Sequence, residues 1–403
     1  MKRFLDKYIS FVGQPDVGRL LVVAMLARMP IGMVGFAMLM FLREHLGNFA
    51  LAGAAVGVNF VAAAIAAPIQ GRLIDRHGPR RLLWVTGVLQ PLSLAAIVAG
   101  VKLGLPFGLI LAFAACAGAF ASPLTTLTRT LWRHRFEREE DRRTAFALDA
   151  VTIEINFTVG PAIMAGILAT VGSTAAFCTA IAVCVAGIVI FVSSPALRYF
   201  RREAAIDRHM LGPLTEPRLW ILFAATFGFA MTIGLLEVGY PAFATALGAP
   251  ALGGVLLGVS SLGSALGGAI YGGMHFKMPV ERQYAAAMAL MSVPLFLHSV
   301  VGPFALFTVV VFVAGLLIAP SIAAQSVLVA RLAPSHYATE AFTWSSTSII
   351  SGLGAGMALG GHLADDQGVR VSFAIGAAIV AAMAVLTLAI TPTRRIVAAA
   401  ARD

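Results

Sequence analysis

"GRLIDRHGPRRLL" (residues 71–83) sets four arginines, one aspartate and two glycines between two long uncharged apolar runs, in a chain that is only 12% charged. Such a segment marks the point where a chain leaves an apolar layer and turns back into it. Over all 403 residues the chain is 59% hydrophobic with a mean hydropathy of +0.89, too apolar for a soluble protein. A bilayer core about 30 Å thick takes roughly 20 apolar residues per helix. Twelve such spans are readable, near 18–42, 49–70, 82–101, 105–128, 144–168, 173–194, 218–246, 251–274, 283–301, 303–330, 339–363 and 370–391. The period-two alternation of a transmembrane β-barrel is absent, so the spans are expected to be helices that satisfy their own backbone groups. The first follows a polar lead, lacks a small-residue cleavage site and reads as a true span, not a signal peptide.

The net charge of +10 is placed for topology, not for nucleic acid. Of 29 Lys and Arg residues, 25 fall in the N-terminal lead, alternate loops and the C-terminal tail; Arg43, Lys102 and Arg370 lie on the opposite side and Arg28 lies within a span. This is the positive-inside pattern, and it predicts a multi-pass protein of the cytoplasmic membrane with both termini in the cytoplasm. Cys116, Cys178 and Cys184 all fall within spans at spacings that suit neither a metal nor a redox pair, so no metal or cofactor is expected.

The polar, Pro-flanked stretch 195–217 divides the spans six and six, which predicts an N-terminal bundle (1–194), a cytoplasmic linker (195–217) and a C-terminal bundle (218–403). The halves align. "GAFASPLTTLTRTLW" (118–132) lies on "GLLIAPSIAAQSVLVARL" (315–332), pairing Pro123 with Pro320; "TAFALD" (144–149) lies on "EAFTWS" (340–345), and Gly160 on Gly356. An internal repeat of this kind predicts two pseudo-symmetric bundles. "GRLIDRHGPRR" (71–81) falls on "GGMHFKMPVER" (272–282), but Asp75 faces Phe276 there, so one copy has lost the acid.

With those residues in place, the chain resembles the major facilitator superfamily, whose loop between spans 2 and 3 is written G-x-L-x-D-R-x-G-R-[KR]; Pro79 departs from it. The resemblance covers the whole chain and implies a twelve-helix transporter working by alternating access. It also implies that Asp75 gates the cycle by meeting the N-terminal end of span 11, near Ala338, where the helix dipole favours an anion. In that loop Gly71 is expected to allow close helix approach, Gly78 and Pro79 to turn the chain, and Arg76, Arg80 and Arg81 to hold the loop at the anionic membrane surface. The alternative is a solvated topogenic loop with Asp75 paired locally.

Ionisable side chains within spans are functional candidates by default. There are four: Arg28, Asp149, Glu154 and Glu237. Arg28 lies ten residues past Gly18 and Glu154 ten past Thr144, both about 15 Å into parallel spans. That shared depth predicts an Arg28–Glu154 ion pair, either coupling protons or fixing helix packing. Asp149 is expected to pair with Arg129 or to relay protons to Glu154. Glu237 sits near Pro241, a candidate hinge. "NFTVGPAIMAG" (156–166) resembles the family's G-x-x-x-G-P-x-x-G-G antiporter stretch, with Asn156 for the first glycine; Gly160, Pro161 and Gly166 are expected to pack against span 1. The resemblance places spans 1, 4, 7 and 10 around the cavity, making Met25, Met29 and Gln325 candidate substrate contacts, with Trp344 on span 11 a further one. Methionines accommodate varied apolar shapes.

No nucleotide-binding loop is present, and no nucleophile–base pair shares a depth, so an enzyme is not expected. The reading is a monomeric, proton-coupled exporter of a small amphipathic compound, with protons and lipids as its other partners and no cofactor. A sugar-efflux or uptake carrier of the same fold is the alternative.

Overall fold

A computed structural model describes residues 11–200, 216–274, 276–333 and 338–390, and among these every regular element is helical. The first half contains α1 (Val17–Arg28), α2 (Pro30–Leu46), α3 (Phe49–His77), α4 (Pro79–Lys102), α5 (Phe107–Ala119), α6 (Leu124–Arg135), α7 (Glu139–Thr170) and α8 (Ser173–Ser193). The second contains α9 (Pro217–Ala246), α10 (Leu252–Gly273), α11 (Val280–Val300), α12 (Phe304–Gly315), α13 (Ile318–Leu332), α14 (Ala338–Leu363) and α15 (Val369–Leu388).

Fifteen helices make twelve spans because three spans are broken in the middle. α1 and α2 form span 1 and meet at Met29–Pro30; proline has no N–H to offer Leu26, and its ring crowds that carbonyl. α5 and α6 form span 4, interrupted before Pro123, and α12 and α13 form span 10, interrupted before Pro320. The freed Ala119 carbonyl, which would have taken the missing Pro123 N–H, accepts instead from Gln70 Nε2 of α3 at 2.7 Å. A neighbouring side chain thus restores what the proline removed, the condition for a break inside a membrane. By continuity and hydropathy the described residues form eleven membrane-length helical runs, and the last, Glu340–Leu388, is 49 residues long. At 1.5 Å per residue that is about 74 Å, two crossings. Gly368, at φ +88°, separates α14 from α15, a conformation that favours glycine.

The quoted segment is less of a loop than its polarity suggests. α3 runs on to His77 and α4 starts at Pro79, leaving Gly78 alone between them at φ +83°, its N–H bonded to the Ile74 carbonyl. The polar residues extend two helices beyond the apolar layer. The expected linker 195–217 opens with a 3-10 turn, Pro195–Tyr199, whose Arg198 pairs with Asp16; residues 201–215 lie outside the described residues.

The chain divides into two compact units, Met1–Ile206 with Tyr240–Gly258, and Asp207–Gly239 with Val259–Asp403. Within each unit, helices touch through glycines at repeat-related places. A methyl on Gly118 would lie 1.9 Å from the Asn59 carbonyl oxygen, and one on Gly315 would lie 2.3 Å from the Ser260 oxygen. A methyl on Gly32 of span 1 would lie 2.1 Å from the Asn156 carbonyl oxygen, and one on Gly234 of span 7 would lie 2.2 Å from the Leu353 oxygen. The aligned repeat is therefore visible as matching helix contacts.

Candidate functional site

The break in span 1 places Arg28 at the last position of α1, fully buried. Its Nε donates to the Ala24 carbonyl at 2.9 Å, and its Nη2 donates to Asp149 Oδ1 at 2.7 Å and to Thr152 Oγ1 at 2.9 Å. Asp149 Oδ1 also accepts a longer bond, 3.3 Å, from the buried indole of Trp132 on α6. Asp149 Oδ2 lies 3.9 Å from Arg129 Nε, whose side chain is 60% exposed. One buried carboxylate thus faces two guanidiniums and an indole N–H.

The partner expected for Arg28 was Glu154, and the structure replaces it with Asp149. Equal backbone depth is a poor guide for a long side chain: helical side chains lean toward the N-terminus, and the Arg28–Ala24 bond shows that lean. The guanidinium therefore reaches a point about 7.5 Å nearer the start of the parallel α7, five residues back. Rotation decides the rest. Asp149, Thr152, Asn156 and Gly160 follow at intervals of three, four and four, a single stripe of α7 against span 1. Glu154 lies about 140° away from Asp149 around the helix, off that stripe. It is half-buried, and its carboxylate has no hydrogen bond or ion pair among the described residues; the same holds for Glu237 on α9.

Asn156 departs from the expected glycine for a reason the break supplies. The Met29 N–H turns to Leu26 at 3.3 Å, so the Met25 carbonyl loses its helical donor, and Asn156 Nδ2 takes it at 3.1 Å. Gly32 makes room for the Asn156 backbone, and Gly160 in turn lies against Gly32. Gly166 does not share this packing: it is exposed, with nothing within 4 Å of a methyl placed there. Six residues beyond Gly160 is about 240° around the helix, a different face. Pro161 is buried, and its carbonyl oxygen lies 2.7 Å from the place of a methyl on Gly254.

In the 71–81 segment, Gly71 has nothing within 4 Å of a would-be methyl, so the close helix approach expected there does not occur. Arg76, Arg80 and Arg81 are exposed; the Asp75 side chain lies outside the described residues. Met25, Met29 and Trp344 are half-buried, whereas Gln325 is buried and donates to Ser345 Oγ at 2.6 Å. Trp132 and Thr152 were missed as site residues. The three-four-four spacing on α7 contained the signal for Thr152; nothing in the sequence pointed to Trp132.

The Major Facilitator Superfamily model matches residues 20–293 and 222–403. No curated protein sequence matches the chain. Among solved structures, the nucleoside transporter NupG superposes with a TM-score of 0.75 at 11% identity, covering 94% of this chain and 100% of its own. A point mutant of NupG gives 0.73 at 13% identity, covering 93% and 99%. At that identity the likeness is one of fold. With helices, repeat and family match in agreement, the chain belongs to the major facilitator superfamily and is a multi-pass membrane carrier, not an enzyme.

Proposed function

We propose that this carrier couples substrate movement to protons at Asp149 and exports a small amphipathic compound. The observation that carries the reading is the buried Arg28–Asp149 pair at the break in span 1. An ion within a span costs about 2.5–3.5 kcal/mol even on insertion scales, and a pair that only fixed packing could be replaced by apolar residues. Asp149 can exchange a proton while Arg28 keeps its charge, so the net charge of the site changes with protonation. The break beside Arg28 gives span 1 a place to bend in response. Export is supported by the likeness of the Gly160–Pro161 stretch to the family's antiporter motif. Both termini are taken to be cytoplasmic, from the distribution of Arg and Lys.

Uptake by a carrier of the same fold is the second reading. Substrate accumulation in cells with and without a protonophore separates the two: an exporter gives higher accumulation once the proton gradient collapses, and an uptake carrier gives lower. Coupling itself is tested in proteoliposomes with an imposed pH gradient. Asp149→Asn is expected to abolish gradient-driven flux while counterflow exchange survives; gradient-driven flux at the wild-type rate would remove Asp149 from the mechanism. Asp75→Asn is expected to slow transport with little change in substrate affinity, and an unchanged rate in correctly inserted protein would end the gating role.

A further inference from the structure

Among the described residues, α6 is the half-span of the first unit whose exposed face is polar. Thr126, Arg129 and Arg133 are exposed, and Thr130 is partly so, at spacings of three, four and seven that put them on one stripe. The opposite face, Leu124, Leu127, Thr128, Leu131 and Trp132, is buried. Between Leu124 and Arg135 no large apolar side chain is exposed, whereas α4, a lipid-type helix, exposes Trp84, Val85, Val88 and Leu92. Arg129 follows the apolar run of span 4, where α6 turns basic with Arg133 and Arg135. A cation and hydroxyls on one exposed stripe face water or a solute, not hydrocarbon.

The charge of the buried site behind this face is not balanced. Arg28, Arg129 and Asp149 together carry one net positive charge, and Asp149 spends its short bond on Arg28. Arg129 reaches Asp149 only through Nε at 3.9 Å, so its two terminal nitrogens, the fork that binds oxyanions two at a time, have no partner among the described residues. A second observation points the same way: Asp149 Oδ2 is buried without a hydrogen bond, so the carboxylate and the guanidinium face each other without closing. Arg129 is held near the site yet kept available.

We propose that the exposed stripe of α6 binds a small organic anion, a carboxylate or phosphate ester with an apolar body, and that Arg129 is the residue that contacts its charge. This rests on the carrier reading above and narrows its substrate class. Thr126 and Thr130 offer hydroxyls beside the guanidinium, and Asp149 competes with the anion for Arg129.

The test uses the full-length protein in nanodiscs of phosphatidylcholine alone, titrated with phenylacetate and phenyl phosphate against the neutral phenylacetamide and the cationic phenethylamine, with melting temperature and calorimetric affinity as readouts. The anions are expected to stabilise the protein and the amide and amine not to. Arg129→Gln, an exposed substitution that leaves the core untouched, is expected to weaken anion binding about tenfold or more, the value of one charge-assisted contact. Arg129→Lys is expected to retain part of it, and Asp149→Asn to tighten it by removing the competitor. Equal binding of amide and anion, no anion binding, or unchanged binding in Arg129→Gln overturns the proposal. So does stabilisation by phosphatidylglycerol nanodiscs that the soluble anions cannot reproduce, which would make the stripe a lipid-headgroup site. Flux under a pH gradient is measured separately: its failure with anion binding intact would sink the proton-coupling reading and leave the anion site standing.

Discussion

The two halves of the chain share their helix contacts and differ in their polar chemistry. Where the first half has Arg28, Asp149, Thr128 and Trp132, the aligned positions of the second hold Ala230, Ser345, Gln325 and Val329. Asp149 is bonded to a buried guanidinium; Ser345 accepts a neutral hydrogen bond from Gln325. The exposed stripe of α6, Thr126, Arg129, Thr130 and Arg133, becomes Ala323, Ser326, Val327 and Ala330 on α13. Yet Gly118 and Gly315 each press on the backbone of a partner span. Duplication has kept the packing, which both copies need to fold, and concentrated the charge in one copy. At these aligned positions the charged groups lie in the first half and neutral ones in the second, where Glu237 on α9 remains the in-span carboxylate.

The largest expected effect breaks the charged side of this comparison. Arg28→Ala removes the closest cation to Asp149 and leaves a buried carboxylate without its main partner, at a cost of about 3–5 kcal/mol. The variant is expected to melt well below the wild type and to show no transport. Replacing both members, Arg28→Met with Asp149→Leu, is expected to recover most of the stability, because an apolar pair needs no compensation, but not gradient-driven flux. Melting curves and proteoliposome flux on the same preparations decide it. Full gradient-driven flux in the double variant would show the pair to be structural and direct attention to Glu154 and Glu237.

An intermediate effect tests the shared side. Gly118→Ala and Gly315→Ala each drive a methyl into a carbonyl oxygen of the neighbouring span, which has to move, and overpacking of this kind costs about 1–3 kcal/mol. The two variants are expected to lose similar stability, read as melting temperature in one detergent. A large loss in one and none in the other would mean that the repeat has diverged in its packing as well as its charge.

How far the sequence could be read follows the same division. The spans and the repeat were legible because they depend on properties each residue carries alone, apolar length and residue type at a fixed offset; of the helix contacts, that of Gly160 was read and that of Gly71 was misread. Pro30 and Pro123 stand at breaks and Pro320 just after one. Pro68, Pro91, Pro161, Pro241 and Pro294 stand inside continuous helices, the expected hinge at Pro241 among them, so a proline alone does not mark a break. The ion pair was legible only in its members. Arg28 and Asp149 announced themselves as charges in apolar runs, but their pairing depends on a side chain reaching back along its own helix and on the rotation of α7, and a comparison of backbone depths ignores both. Trp132 had no signal at all, since an aromatic near the end of a span is ordinary. Gly166 misled for the opposite reason: it matched a motif by type while lying on the wrong face.

The smallest expected effect sharpens the comparison from the neutral side. Gln325 and Ser345 are buried and bonded at 2.6 Å, in the places of Thr128 and Asp149. Hydrogen bonds between membrane helices contribute on average about 0.6 kcal/mol, so Gln325→Leu with Ser345→Ala is expected to change the melting temperature little. No charge is lost and no proton-exchanging group is touched, so gradient-driven flux should persist even if substrate affinity shifts. The informative contrast is with Asp149→Asn, an equally small change in volume at the repeat-related position. If charge asymmetry is what divides the halves, the double change in the second half lowers affinity at most, whereas the single change in the first removes the response to the pH gradient. A loss of gradient response in Gln325→Leu with Ser345→Ala would mean that coupling is shared between the units, and the division of labour inferred from the aligned residues would fail.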